Sequence, residues 1–431
     1  MGSQLDLQIL SFQKGTIMTE DLRINGDRLL NRIEELASIG AIDGGGSCRL
    51  ALTDEDRAGR DLVVTWMRDL DLDISIDSIG NVVAVRPGKI DGPPTMTGSH
   101  IDTVRTGGRY DGNLGVLAGL EIIESLSENK IETQHPVAVA FFTDEEGSRF
   151  APDMLGSLVY VGGMTLEEAL DIKGVDGAKV GDELDRIGYR GTSPCPGPSP
   201  RAFVELHIEQ GPVLEVEGVT IGAVTGVQGI SWTELTVTGE SNHAGTTPMT
   251  LRHDSGFAAA AISTYVRDLS LEMGGSQVAT VGRLELHPNL VNVVAGSAVL
   301  TVDLRNTVEA YLLESENKLA DFLLELASNE GFEIEKRQLA RFEPVEFNQE
   351  VVDTVENIAS RLGHSVMKLP SGAGHDAQMM ARVCPTGMVF VPSHKGISHN
   401  PQEHTDSDDL IAGCNVLFQT ILDLDMKDLG G

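Results

Sequence analysis

The sequence predicts an α/β protein into which a smaller α+β domain is inserted. Strand-like and helix-like segments alternate through the first half of the chain, and the same pattern returns from about residue 343. Between them, the segments follow the order β-α-β-β-α-β, which is that of a ferredoxin-like unit. We therefore expect residues 19–224 and 339–431 to form one domain and residues 225–338 to form the insert.

The α/β domain is predicted from short apolar runs and one long amphipathic segment. Residues 81–85 (NVVAV) and 95–98 are typical of strands. Residues 137–142 (VAVAFF) form a continuous apolar run, as expected of a strand that is buried on both faces. Residues 112–130 predict a helix, because apolar side chains such as Val116, Leu120 and Ile123 recur on one face. Glycine and proline punctuate residues 191–200 and indicate a loop.

The insert is predicted from the same periodicities. Alternating hydrophobicity indicates strands, and apolar residues at three- to four-residue spacing indicate helices. The expected elements are strand 230–240, helix 253–272, strands 277–287 and 291–305, helix 307–331 and strand 332–337.

Charge and composition exclude several classes of protein. The 431 residues include 65 acidic and 32 basic ones, which gives a net charge of −33. A general nucleic-acid binder or a basic membrane-surface helix needs positive charge, so we expect neither nucleic-acid nor membrane partners. The sequence contains no run of about 18 apolar residues, so no transmembrane helix is expected.

Two further features bear on the compartment. Residues 1–15 lack a basic stretch followed by an apolar core, so they do not predict a signal peptide. The four cysteines, Cys48, Cys195, Cys384 and Cys414, lie far apart and match no metal or disulfide pattern. A reducing cytoplasm is the simplest expectation.

Five short segments carry acids and histidines near the ends of predicted strands. They are SHIDT, YDGNLG, TDEEGSRF, ELHIEQGP and ISHNP, and their candidate residues are His100, Asp111, Glu145, Glu146, His207 and His399. Open α/β sheets bind ligands beyond the carboxyl ends of their strands. Imidazole nitrogen and carboxylate oxygen are preferred ligands of zinc and its divalent neighbours. Three histidines and two carboxylates can hold two metal ions if one carboxylate bridges.

Asp111 is the best candidate for the bridge, because Gly112 and Gly115 allow close approach. Two ions about 3.5–4 Å apart can activate water near neutral pH, and Glu145 would act as the general base. Each residue also has a plainer interpretation. A lone histidine is commonly structural, an acidic pair such as Glu145 and Glu146 is commonly solvated, and an aspartate after a strand is commonly a turn residue.

Eight motifs together resemble one enzyme family. They are GSHIDTV, GGRYDGNLGVLAGLE, FTDEEGSRF, ELHIEQGPVLE, NHAGTTPM, DLRN, SGAGHDA and ISHNPQEHT. The chain is similar to N-carbamoyl-L-amino acid hydrolases, bacterial-type β-ureidopropionases and allantoate amidohydrolases, which belong to the aminoacylase/carboxypeptidase superfamily of dinuclear metal hydrolases. The resemblance implies a mixed-sheet catalytic domain and an inserted domain that serves as lid and dimerisation surface.

The resemblance also implies roles for the metal cluster. His100 and Glu146 would bind different metal ions, Asp111 would bridge them, and His207 and His399 would complete the two sets of ligands. The cofactors would be two divalent metal ions per subunit, zinc foremost, with manganese, cobalt or nickel as alternatives. It further implies a cis peptide between Asp111 and Gly112.

Six residues outside this cluster are expected to hold or polarise the substrate. They are Gln210, His243, Asn292, Arg305, Gly374 and His375. The planar fork of Arg305 matches a carboxylate, and His243 can donate to the oxyanion of a tetrahedral intermediate. The plainer alternatives are an ion pair of Arg305 with Asp303 or Glu309, a turn histidine at His243, and a glycine-rich turn beside a structural His375.

The expected function is hydrolysis of the carbamoyl C–N bond of an N-carbamoyl-L-amino acid or N-carbamoyl-β-alanine, with release of the amino acid, carbon dioxide and ammonia. Allantoate hydrolysis is the first alternative, and a dipeptidase or aminopeptidase of the same superfamily is less favoured. A metal-free binding protein is the alternative from another class, although such a protein has no need for Glu145. The resemblance also implies a homodimer that forms through the insert.

Overall fold

The computed structural model describes residues 22–428, and two β-sheets organise this part of the chain. Each sheet has its own hydrophobic core. The interpretation of residues 1–15, and the predicted domain ends at residues 19–21 and 429–431, lie outside the described residues. No helix between residues 22 and 428 is both long and apolar enough to cross a lipid bilayer.

The described residues contain thirteen strands. In chain order, β1 to β13 are Asp73–Ile76, Val82–Arg86, Thr95–His100, Val137–Phe142, Ala202–Ile208, Ile221–Val227, Gly229–Thr238, Val278–His287, Ser297–Asn306, Glu333–Phe342, Val345–Glu346, Val366–Ser371 and Thr386–Val391. The continuous apolar run predicted as a buried strand is β4, and every residue of it is buried.

The same part of the chain contains twelve α-helices. In chain order, α1 to α12 are Gly26–Ala37, Asp54–Asp69, Asn113–Glu128, Leu155–Tyr160, Leu166–Asp171, Val180–Ile187, Val213–Glu217, Ser255–Met273, Glu309–Glu330, Gln349–Arg361, Asp376–Met380 and Ser407–Met426. Helix α3 is the helix predicted from the apolar periodicity, and it is buried on nearly all sides. It packs on the central strands β3, β4 and β5.

The larger sheet is mixed, as the predicted fold class requires. Its strand order is β1-β2-β4-β3-β5-β13-β6-β11, and β12 pairs with β6. The four central strands β4, β3, β5 and β13 run parallel to one another. Their carboxyl ends therefore meet at one edge of the sheet, where α/β proteins place their ligand sites.

The smaller sheet has the antiparallel order β10-β7-β9-β8, and helices α8 and α9 pack against it. With its connections β-α-β-β-α-β, this is the ferredoxin-like unit. The unit runs from residue 229 to residue 342, close to the predicted insert at 225–338. The division of the chain into three domain segments remains a proposal.

One predicted strand begins too early. Residues 291–296 are not part of β9, which starts at Ser297. They lie in a turn that pairs with a second loop at residues 242–244, because the Val294 N–H donates to the Asn242 carbonyl and the Ala244 N–H donates to the Asn292 carbonyl. The apolar side chains of Val294 and Ala295 are buried in this turn, and that burial produced the strand-like pattern.

Two fully buried arginines fix the segments that carry the candidate residues. Arg49 donates to the carbonyl of Ile101 at 2.9 Å and to the side chain of Asn113 at 2.9 Å, so it ties the end of β3 to the start of α3. Arg60 pairs with Asp56 at 2.8 Å. It also donates to the Thr143 hydroxyl, which begins the segment after β4.

Replacement of Arg60 by methionine should lower the free energy of unfolding by about 3–5 kcal/mol, because it leaves the buried Asp56 carboxylate without its partner. Urea denaturation followed by circular dichroism measures this change. Arg57→Met, on the exposed face of the same helix, is the matched control and should leave stability nearly unchanged. If both substitutions lowered the free energy of unfolding by the same amount, the stabilising role of the buried Arg60–Asp56 pair would be contradicted.

Candidate functional site

The candidate metal ligands gather where the parallel strands end. His100 is the last residue of β3, and His207 is the second-to-last residue of β5. Glu145 and Glu146 follow β4, while His399 lies in the long loop after β13. Four neighbouring strands thus deliver side chains from distant parts of the sequence to one edge of the sheet.

Asp111 lies at the centre of this group, and three imidazoles face its carboxylate. Oδ1 lies 3.5 Å from Nε2 of His100 and 3.1 Å from Nε2 of His207. Oδ2 lies 3.5 Å from Nε2 of His399, which is also 3.2 Å from the carboxylate of Glu146. Two sets of ligand atoms result, His100–Asp111–His207 and Asp111–Glu146–His399, and they share Asp111.

In their neutral form, the two buried histidines turn an unprotonated Nε2 toward this centre. Nδ1 of His100 contacts the carbonyl of Asp102 at 2.9 Å, and Nδ1 of His207 contacts the carbonyl of Ile208 at 2.8 Å. Each Nδ1 therefore carries the proton and donates it, which leaves Nε2 free as a ligand. The Gly112 N–H donates to Nε2 of His207 at 3.1 Å, in agreement with this tautomer.

A third group, Glu205–His207–His375, is less suited to hold an ion. The Glu205 carboxylate already accepts hydrogen bonds from the Ser99 hydroxyl at 2.6 Å and from the Ala377 N–H at 2.8 Å. Nε2 of His375 is 2.9 Å from the Ser371 hydroxyl. We therefore infer that Glu205 and His375 help to position His207 and do not hold an ion themselves.

Burial and charge oppose each other throughout the cluster. Burial alone would raise the pKa of Asp111, yet His100 and His207 in their protonated forms donate to its carboxylate and bring that pKa well below its usual value. The hydrogen bond with Glu146 raises the pKa of His399 to about 9. Burial raises the pKa of Glu145 well above its usual value, and the charge of His100 only partly opposes that shift.

Further buried acids surround the cluster. Burial raises the pKa of Asp102 to about 6 and that of Asp376 to about 8. The Asp376 carboxylate has no hydrogen-bond partner within residues 22–428. Such an excess of desolvated carboxylates is costly unless positive charge balances it. The donor set of imidazole nitrogens and carboxylate oxygens fits divalent metal ions, which would supply that charge.

A cavity of about 180 Å³ opens from the cluster toward the insert. Its lining includes Asp111, Glu145, Glu146, His207 and His399 from the cluster, and the predicted substrate residues Gln210, Arg305, Gly374 and His375. The structure therefore brings nine of the predicted residues to one cavity, with contributions from both sheets.

Arg305 reaches this cavity from β9 of the insert. Its Nε and Nη2 atoms donate to Asp303 at 2.9–3.1 Å, and Nη1 donates to the carbonyl of Gly372 at 2.6 Å. The guanidinium also lies 5.9 Å from the ring centre of Trp232. The ion pair of Arg305 with Asp303, which was the plainer alternative, is thus present. Arg305 nevertheless lines the cavity and does not lie on a remote surface.

Gln210 lines the cavity and contacts the cluster. Its Nε2 donates to Oδ2 of Asp111 at 2.8 Å. Its Oε1 is buried and has no hydrogen-bond partner within the described residues. A substrate N–H donor would satisfy that oxygen.

His243 and Asn292 do not join the other candidate residues. Both are exposed on neighbouring loops of the insert, and neither lines the cavity. Within one chain, they therefore do not reach the cavity, and their contact with the substrate stays a prediction. The reason is geometric, since the loops at residues 242–244 and 292–294 pair with each other at a distance from the cavity.

The expected cis peptide after Asp111 is also absent. Within residues 22–428 the cis peptides precede Pro152, Pro196 and Pro288. Gly112 turns the chain through a positive φ of 65° instead. A Cβ atom at this position would lie 2.4 Å from the His100 ring, so only glycine fits.

Comparison with known proteins identifies the family. Residues 96–423 match the profile of peptidase family M20/M25/M40. The chain belongs to this family. An N-carbamoyl-L-amino-acid amidohydrolase of Rhizobium meliloti is 41% identical over 405 residues, which cover 94% of this chain and 97% of the relative.

Two other similarities extend this result. A crystal structure of a hydantoinase/carbamoylase family amidase from Burkholderia multivorans superposes with a TM-score of 0.91 at 45% identity, and covers 94% of this chain and 99% of that one. A ureidoglycolate hydrolase of Arabidopsis thaliana is 33% identical, with 96% of this chain and 90% of the relative covered.

The M20 chain is thus an amidohydrolase that acts on non-peptide C–N bonds of small molecules, and the predicted family resemblance is confirmed. Enzymes of this family depend on metal ions, which agrees with the ligand sets around Asp111.

Three residues that shape the M20 site were missed by the sequence analysis. Asp102 accepts the backbone N–H groups of Glu145 and Glu146 at 3.2 and 3.3 Å and so fixes both. The Ser398 hydroxyl donates to Asp111 at 3.0 Å, and Glu403 accepts from the Asp111 N–H at 3.3 Å. All three lie within the quoted motifs SHIDT and ISHNPQEHT, so motif position was the only available signal.

The two ligand sets predict that each chain binds two metal ions. After reconstitution with zinc and desalting, inductively coupled plasma mass spectrometry should therefore find two zinc ions per chain. His207→Ala should reduce this ratio to about one, because it removes a ligand from one set only. His394→Ala, on an exposed histidine in the same loop as His399, is the control and should keep both ions. Full metal content in His207→Ala would show that the ions bind elsewhere.

Proposed function

We propose that this M20 enzyme hydrolyses N-carbamoyl-L-amino acids or N-carbamoyl-β-alanine. The observation that carries the proposal is Arg305, a guanidinium that borders the same cavity as the Asp111 cluster. A carboxylate on the substrate would find its natural partner there, since the planar guanidinium offers two parallel donors. The carbamoyl carbonyl would then lie at the cluster.

The proposed ligands are His100, Asp111, Glu146, His207 and His399. Two divalent ions, with zinc foremost and manganese, cobalt or nickel as alternatives, would polarise the carbonyl and lower the pKa of water when bound. The nearby positive charge would also favour the carboxylate form of Glu145, whose pKa burial alone raises.

Glu145 is the proposed general base. It takes a proton from water as the water oxygen bonds to the carbamoyl carbon. The proton then passes to the amino-acid nitrogen as the C–N bond breaks, so that the amino acid leaves as a neutral amine. The other product, a carbamate, decomposes to carbon dioxide and ammonia.

Three other substrate types, namely allantoate, ureidoglycolate and dipeptides, could undergo the same kind of hydrolysis. Allantoate also combines a ureido group with a carboxylate, and the similarity to a ureidoglycolate hydrolase supports ureidoglycolate as a further candidate. A dipeptide is less favoured, because the quoted motifs HIEQGP and NHAGTTPM resemble the carbamoylase branch and not the peptidase branch.

A substrate panel tests the proposal. With zinc, manganese or cobalt present, the enzyme should turn over N-carbamoyl-L-methionine or N-carbamoyl-β-alanine with a higher kcat/KM than allantoate, ureidoglycolate or a dipeptide. Arg305→Ala should lower that kcat/KM roughly 10- to 150-fold, the loss expected for hydrogen bonds to a charged group. Arg337→Ala, on an exposed arginine of the insert, is the control. Preference for a dipeptide, or unchanged kinetics in Arg305→Ala, would contradict the proposal.

We also propose a homodimer that forms through the insert and completes the site. His243 and Asn292 lie beside exposed apolar side chains, namely Met249, Leu251, Leu290 and Val291. Such a patch is typical of an interface. Nδ1 of His243 accepts the N–H groups of Gly245 and Thr246 at 3.1 and 3.2 Å, so its proton is on Nε2. That Nε2–H could donate to an oxyanion in the partner's cavity.

Complementation tests the homodimer and both catalytic roles. Glu145→Gln should retain metal and lose about 100- to 10,000-fold in kcat, while His243→Ala should lose about 100-fold or more. When the two inactive proteins are unfolded together and refolded, mixed dimers should regain activity, because one of their two sites has both residues intact. Absence of recovery in proteins that do dimerise by light scattering would place His243 outside the partner's site.

A further inference from the structure

Asp153 contributes an acidic side chain to the wall of the cavity that the metal-binding cluster and Arg305 also line. It lines the cavity together with Glu146 and Arg305. A Cβ atom built on Gly147 would lie 3.0 Å from the Asp153 Cβ, so Asp153 sits beside the residue that follows Glu146. Burial raises the pKa of Asp153 to about 6, with Arg305 acting in the opposite direction and Glu146 in the same one. Asp153 is therefore within electrostatic reach of both ends of the cavity.

The fold does not need this side chain to hold its loop. The Met154 N–H donates to the Glu145 carbonyl at 2.7 Å, and the Leu155 N–H donates to the Asp144 carbonyl at 3.1 Å. Helix α4 begins after Met154 without a side-chain cap. Within residues 22–428, the Asp153 carboxylate accepts a hydrogen bond only from its own backbone N–H. Its acceptor capacity thus remains available to a ligand.

We propose that Asp153 is a specificity-determining residue that accepts two N–H groups from the ureido end of the substrate. This inference rests on the proposed function. A ureido group R–NH–CO–NH₂ carries two N–H bonds that point side by side, away from its carbonyl oxygen. A carboxylate matches this pair with two hydrogen bonds. With the substrate carboxylate at Arg305 and the carbonyl at the cluster, the ureido group spans the stretch of wall that Asp153 occupies.

The geometry also gives a reason for choosing carbamoyl over acyl substrates. An N-formyl amino acid has the same carboxylate, the same carbonyl and the same inner N–H, but it lacks the terminal NH₂ group. It can therefore give Asp153 one hydrogen bond where the carbamoyl compound gives two. Loss of the Asp153 carboxylate should weaken the carbamoyl compound more than the formyl compound.

Calorimetry on the metal-loaded Glu145→Gln protein, which binds ligand with little turnover, measures the Kd of N-carbamoyl-L-methionine and of N-formyl-L-methionine. Adding Asp153→Asn should weaken the carbamoyl ligand about tenfold or more relative to the formyl ligand, the loss expected for one hydrogen bond to a charged group. Asp153→Ala should shift the ratio of Kd values in the same direction. Asp91→Asn, an exposed aspartate outside the cavity, is the control and should leave the ratio unchanged.

The outcomes separate this inference from the function on which it rests. If the Glu145→Gln parent binds the carbamoyl ligand and Asp153→Asn weakens both ligands equally or neither, the role of Asp153 is wrong and the proposed function stands. If the parent binds neither ligand, both are wrong. Metal content measured on every variant shows whether the cluster has been kept, so a general collapse of the site is recognised by the loss of its ions.

Discussion

The carboxylate of Asp111, surrounded by three imidazoles, is the interaction on which the rest of the site depends. It is shared by two sets of ligand atoms, and each set contains residues from different strands or loops. Neighbouring side chains hold Asp111 in place through several hydrogen bonds. Ser398 and Gln210 donate to the same oxygen, and Glu403 accepts the backbone N–H of Asp111. A displacement of Asp111 would therefore disturb both sets of ligands at once.

The fold explains how so many carboxylates are buried away from water around Asp111. Four parallel strands end at one edge of the sheet, and the buried Arg49 and Arg60 hold the segments that follow β3 and β4. The desolvation that raises the pKa of Glu145 and Asp102 is unfavourable for the protein alone. Bound cations would reverse that penalty, so metal binding and the ionised state of the base are linked.

The predicted fold class is confirmed, and the residues predicted to gather around Asp111 do lie together, because both features leave local signals. Buried parallel strands such as β4 are continuous apolar runs, and the ligands occupy short motifs directly after them. The start of β9 was misjudged because Val294 and Ala295 are buried in a turn, and burial alone does not distinguish a turn from a strand. The positions of His243 and Asn292 relative to the cavity depend on how two loops pair, which has no local signature. No local signal marks Asp153, since one acid in a loop is commonly solvated and only the folded chain brings it to the cavity that Arg305 lines.

The most direct test of the central claim is anomalous diffraction at the metal absorption edge from crystals of the zinc-loaded protein. The account predicts two peaks about 3.5–4 Å apart on either side of the Asp111 carboxylate, one beside His100 and His207 and the other beside Glu146 and His399. A single peak at the Asp111 carboxylate, or ions bound away from it, would contradict the account.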